Sequence, residues 1–106
     1  MKALKFVKPT FVHRSGLEVD GMACTWESMR QIAFGIGRGP LRVARVWETP
    51  HDNYLIEAQQ KVLRDGAAEY ESLYAVANWR QAVLFTAKCG SMKWSGELVD
   101  EMLEGA

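Results

Sequence analysis

The chain has little with which to staple itself, span a membrane or run chemistry. Of its 106 residues only two are cysteine, two histidine and three proline. Cys24 and Cys89 lie far apart, and without a secretory leader such a pair reads as free, buried thiols and not as a disulfide framework. A zinc site would need His13, His51, Cys24 and Cys89 to converge from four distant segments, and neither C-x-x-C nor H-x-x-x-H spacing occurs, so no metal or other cofactor is expected. No apolar run approaches the roughly 18 residues of a membrane-spanning helix. Lysines interrupt the opening run Met-Lys-Ala-Leu-Lys-Phe-Val-Lys-Pro, so no signal-peptide core is read there. The expected site is the cytoplasm, of a cell or of an infected host, with no membrane partner.

Net charge is absent too, since 13 lysines and arginines balance 13 carboxylates. That zero conceals a split. Residues 1–46 carry eight cations against three carboxylates, and residues 47–106 carry five cations against ten, a surplus of five in each half with opposite sign. Such asymmetry points to a charged partner, or to two halves that attract each other. The apolar fraction, 48%, is that of an ordinary globular protein, and the length fits a single domain.

What is present suggests an α+β fold: a small, mostly antiparallel sheet of three to four N-terminal strands packed against three to four helices. Leu4, Phe6, Phe11 and Val12 form a weakly alternating run that Pro9 splits. Arg14-Ser15-Gly16 reads as a turn, Leu17 and Val19 as a returning strand, and Asp20-Gly21 as a second turn. Thr25 is read as the cap of a helix carrying Trp26, Met29, Ile32 and Ala33 on one face. The clearest strand is Leu41–Glu48, with an arginine inside each of its two apolar rows. Thr49-Pro50-His51-Asp52 resembles a helix start, which predicts a helix to about Arg64 with Gly66 as its stop. Residues 67–89 read as helix almost throughout, as one helix or as two joined near Asn78, with a short strand over 81–87 as an alternative. Ser95 is read as the cap of a last short helix striped with Leu98, Val99, Met102 and Leu103, a stripe buried by the core or by a second subunit.

The residues that could carry chemistry do not assemble a reaction. The glycines at 35, 37 and 39 could cradle an anion, but they match neither a dinucleotide-binding fingerprint nor a P-loop, and they follow a predicted helix where an anion site would precede one. Cys24 near a helix start could be an activated thiol, though small buried filler is the commoner role. Ser91-Met92-Lys93 falls one residue short of S-x-x-K. Glu69 and Glu71, two apart on a predicted helix, do not face each other as an acid pair.

Binding is therefore the expectation. The leading reading is a non-enzymatic adaptor or inhibitor, of the kind phages and mobile elements encode by analogy only, that docks on a larger protein assembly. Its acidic set, Glu57, Asp65, Glu69, Glu71, Asp100, Glu101 and Glu104, would meet a basic protein surface. The runner-up is a nucleic-acid-binding module in which Arg38, Arg42 and Arg45, with Lys5 and Lys8, hold phosphates while Trp47 and Phe11 stack on bases. A small enzyme of unknown reaction is third. Trp26 and Trp79 read as core, and Trp47 and Trp94, which border loops, as interface residues. Homo-oligomerisation stays open. The bland alternative to both surfaces is that the cations pair with acids of the same molecule.

Overall fold

In the computed structural model, residues 4–36, 41–89 and 92–94 are described. They are mostly strand. Strands β1 (Phe11–His13), β2 (Gly16–Val19) and β3 (Met22–Thr25) make one antiparallel sheet in that order. A 3-10 turn, Trp26–Ser28, leads into β4 (Arg30–Ile36), β5 (Leu41–Glu48), β6 (Tyr54–Arg64) and β7 (Ala67–Ala77). Helix α1 (Trp79–Cys89) then carries the chain back to β8 (Met92–Trp94). The second sheet is antiparallel throughout, in the order β7-β6-β5-β4-β8.

The expected packing of a small sheet against three to four helices is thus corrected to two antiparallel sheets with one helix among the described residues. The reasons are local. Asp-Gly occurs twice, and each time it turns a hairpin. Asp20 and Gly21 have φ of 49° and 84°, and Asp65 and Gly66 have 51° and 78°. Two consecutive left-handed residues form the turn whose twist matches the flanking strands. Gly66 therefore stops no helix; it closes β6 on β7 through the pair Arg64↔Ala67.

Thr49 starts no helix either. Its buried hydroxyl accepts the His51 N–H at 3.1 Å and donates to Asn53 Oδ1, which pins the β5–β6 connection. Thr25 does cap, accepting from Ser28 N at 3.1 Å, but what it caps is one 3-10 turn. Beyond that turn a bulge in β4 lets Ile32 and Ala33 both reach the core on one side of the sheet. At Asn78 a reciprocal cap does start a helix: Asn78 Oδ1 accepts Gln81 N at 2.8 Å and Gln81 Oε1 accepts Asn78 N at 2.9 Å. Residues 81–87 lie within that helix.

The large sheet is covered on both faces. On one, Val46, Ile56 and Ala77 meet Ala82 of α1, flanked by Trp79, Phe85 and the N-terminal Leu4 and Phe6. On the other, Leu55 and Tyr74 meet Leu17, Val19 and Cys24 of the small sheet, flanked by Val7, Trp26 and Trp47. Phe6 and Val7 thus go to opposite cores, as adjacent residues of an extended segment must. Among the described residues no helix is long and apolar enough to cross a membrane. The C-terminal stripe read at Leu98–Leu103 lies outside the described residues.

Candidate functional site

Strand register brings an arginine, a glutamate and a tyrosine into one row, with Trp47 two residues along β5 on the same face. Arg45 on β5 stands opposite Glu57 on β6, and Glu57 opposite Tyr74 on β7. Glu57 is only 7% exposed. A buried carboxylate needs donors, and it has four. Arg45 reaches it at 3.3 Å, the Trp47 indole N–H donates at 3.4 Å, and the Ser72 hydroxyl donates at 3.1 Å. The fourth is the Tyr74 hydroxyl, whose pKa is pushed up to about 12, first by burial and then by the charge of Glu57 and the hydrogen bond to it. The Arg45 guanidinium also lies 5.3 Å from the centre of the Phe34 ring, and Phe34 is 41% exposed. The centre of this face is therefore an internally satisfied network with the Phe34 ring beside its arginine.

The second feature is an arm. Pairing between β5 and β6 ends at Leu41↔Gln60, while β6 and β7 pair on to Arg64↔Ala67. The outer half of the hairpin has no neighbouring strand beyond that point among the described residues. Strand alternation sorts its side chains: Lys61, Leu63, Ala68 and Tyr70 share one face, and Val62, Arg64, Glu69 and Glu71 the other. On the apolar face Leu63 is 73% and Tyr70 48% exposed. On the charged face Arg64 lies 3.5 Å from Glu69 and 3.6 Å from Glu71. Lys8 reaches Glu71 at 2.9 Å, and this contact, the largest influence, holds the Glu71 carboxyl below its usual range.

Of the sequence-predicted site residues, the structure unites only some. Arg45 and Trp47 share Glu57, and Trp47 also packs on Trp26 with ring centres 5.7 Å apart, so it serves the junction of the sheets. Glu69 and Glu71 share a face because they lie on a strand and not on a helix. Arg42 sits at a register shift of β5, between Leu41 and Val43. Trp94 stands opposite Ala33 in β8. Arg38, Asp100 and Glu101 lie outside the described residues. Lys8–Glu71, Arg30–Glu48 and Arg45–Glu57 each join a cation of the basic half to an acid of the acidic half.

The sequence reading missed Phe34, Leu63, Tyr70 and Tyr74, and took Glu57 for a helical surface acid. For Glu57, Leu63, Tyr70 and Tyr74 the available signal was the Asp65-Gly66 turn, since it defines the β6–β7 hairpin that carries them all. His13 is turned to Ser15 (Nδ1 to Oγ 3.0 Å), and His51 Nε2 donates to Ala23 O at 3.1 Å. Comparison with protein-family models, curated proteins and solved structures gave no match.

Proposed function

We propose that this protein is a non-enzymatic binding module that engages a protein partner through the free end of the β6–β7 arm. One observation carries the reading: the arm runs on past β5 with Leu63 73% and Tyr70 48% exposed on the same face. Leu63 and Tyr70 are diagonal neighbours across the hairpin, close enough to form one apolar patch. A large exposed apolar group on a bare hairpin invites aggregation, and soluble proteins usually cover or blunt such edges. Tyrosine is also among the residues that contribute most to protein interfaces. The acidic pair on the opposite face suits the basic partner surface that the charge split suggests.

The test is a photo-crosslinking residue in place of Leu63, with the same residue in place of His13 as the control, in lysate of the source cell. The reading expects an adduct at 63 that unlabelled protein competes away and that Tyr70→Lys abolishes. An adduct equally strong at 13, or none at 63, overturns it.

A second reading, nucleic-acid binding, is favoured by one observation, the exposed Phe34 ring beside the Arg45 guanidinium. Stacking on single strands would make Phe34→Ala lose oligonucleotide affinity, with a steep dependence on salt. No anisotropy change with single-stranded oligonucleotides at low salt removes this reading.

A further inference from the structure

The outer edge of β7 is occupied at one end and open at the other. Val7 N–H donates to Tyr74 O and Tyr74 N–H to Val7 O, both at 2.8 Å. Tyr74 therefore turns its backbone polar groups away from β6. The alternation of an antiparallel strand turns those of Ser72, Tyr70 and Ala68 the same way. The N-terminal segment does not follow them. Pro9 has no N–H to give, and Thr10 N–H turns to Glu18 O at 2.8 Å. From Ala67 to Ser72 no described strand lies beside this edge.

The occupied end displays what the edge accepts: an extended, antiparallel segment with its backbone in the ladder and a lysine, Lys8, set against Glu71. Glu69 stands two residues further along the same face, half exposed, with an Arg64 contact of 3.5 Å. Such long, exposed contacts contribute little, so a closer cation can replace Arg64 there. We propose that the Ala67–Ser72 edge of β7 receives an extended segment of a partner protein as an added antiparallel strand, and that this segment carries lysine or arginine at alternate positions facing Glu69 and Glu71. The assignment rests on the reading of the arm as the binding element. Main-chain pairing supplies affinity in this mode, and the alternate side chains supply selection.

A second copy of this chain fits worse. Two-fold antiparallel pairing centred on Glu69, Tyr70 or Glu71 sets glutamate opposite glutamate in one or both pairs, or leaves the open edge partly unused, and like charges directly opposite destabilise.

The probe is a fluorescent peptide of roughly nine residues, alternating lysine and valine, long enough for one added strand. Saturable anisotropy is expected, with the amide resonances of Ala68 and Ser72 among those most shifted. Ala68→Pro removes an outward N–H that β6 does not use, and it should weaken binding about fivefold or more, the effect of one backbone hydrogen bond. Glu69→Lys should weaken it further without touching the backbone, which keeps the test valid if the proline variant misfolds. Peptides N-methylated along the pairing edge, or with glutamate for lysine, should not bind. Binding that survives N-methylation or Glu69→Lys, or no binding at all, overturns the proposal. If the crosslink at 63 persists in that event, the arm is still the binding element and only its mode of pairing was misassigned. If both are lost, both readings fall.

Discussion

Glu57 shows what a single residue can demand of its surroundings. An ionised carboxylate at 7% exposure is tolerated because its oxygens accept from Arg45, Trp47, Ser72 and Tyr74. Removing one charged partner should therefore already forfeit much of what the pair contributes, because it leaves the other uncompensated. Arg45→Ala is expected to cost about 2 kcal/mol, less than for a fully buried pair because the guanidinium keeps some contact with water. In urea titrations the double change Arg45→Ala/Glu57→Ala should cost clearly less than the sum of the single ones, and additivity would mean that the two are not coupled.

Tyr74 gives the same network a pH signature. Its phenol is neutral when protonated, and its folded pKa of about 12 lies above the ordinary value of 10.0. The unfolded chain thus gives up the proton first. The contribution to stability is whole below about pH 10 and is lost as pH rises through about 12. Stability measured across that alkaline window should fall more steeply in the wild type than in Tyr74→Phe. Parallel curves would disconnect Tyr74 from the effect.

At the scale of elements, the sequence was most transparent where one local signal ruled. Leu41–Glu48 is a strand with the bounds its alternation implies, and the Asp20-Gly21 turn stands where it was read. Tyr54–Arg64 was opaque for two reasons. Its Glu, Ala, Gln, Lys and Leu favour helix, and propensity is a weak prior that tertiary packing overrides. Leu55, Ile56 and Glu57 are also all buried, because both faces of the sheet are covered, so the period of two that marks a half-exposed strand disappears. Ala67–Ala77 was masked in the same way by its alanines. The site suffered with the elements: Arg45 and Trp47 were legible as singular residues, but Glu57 becomes their partner only once β5 and β6 are in register.

The second Asp-Gly turn should therefore prove more sensitive than its exposure suggests. Gly66 has φ of 78° with nothing near a Cβ placed there, so the strain of a substitution is purely conformational. Gly66→Ala is expected to lower stability by about 1 kcal/mol, read as a shift of the urea midpoint at unchanged slope. An unchanged midpoint would mean that the turn relaxes into another type.

For the whole molecule, the opposite charges of the two halves are joined by the pairs to Glu71, Glu48 and Glu57. Arg30 and Glu48 are both exposed, and Lys8 reaches the half-buried Glu71 from solvent, and pairs with such access to water contribute little. Raising salt from about 0.05 to about 0.5 M should thus leave the melting temperature nearly unchanged, while association with a cationic strand slows markedly. A melting temperature that collapses with salt would show instead that mutual attraction of the halves holds the fold together.

The return of β8 to β4 has a bearing on the order in which the chain assembles. Successive strands from β4 to β7 meet across short connections, whereas Ala33↔Trp94 joins positions 61 residues apart. Closing a long loop is entropically slow, so the β4–β7 meander forms first and β8 arrives after α1 has docked. Pulse-labelled hydrogen exchange should find the β4–β8 amides protected in the last kinetic phase. Until then β4 is itself a bare edge beside a partly built core, and it is in that interval, rather than in the finished protein, that the chain is most exposed to pairing with its neighbours.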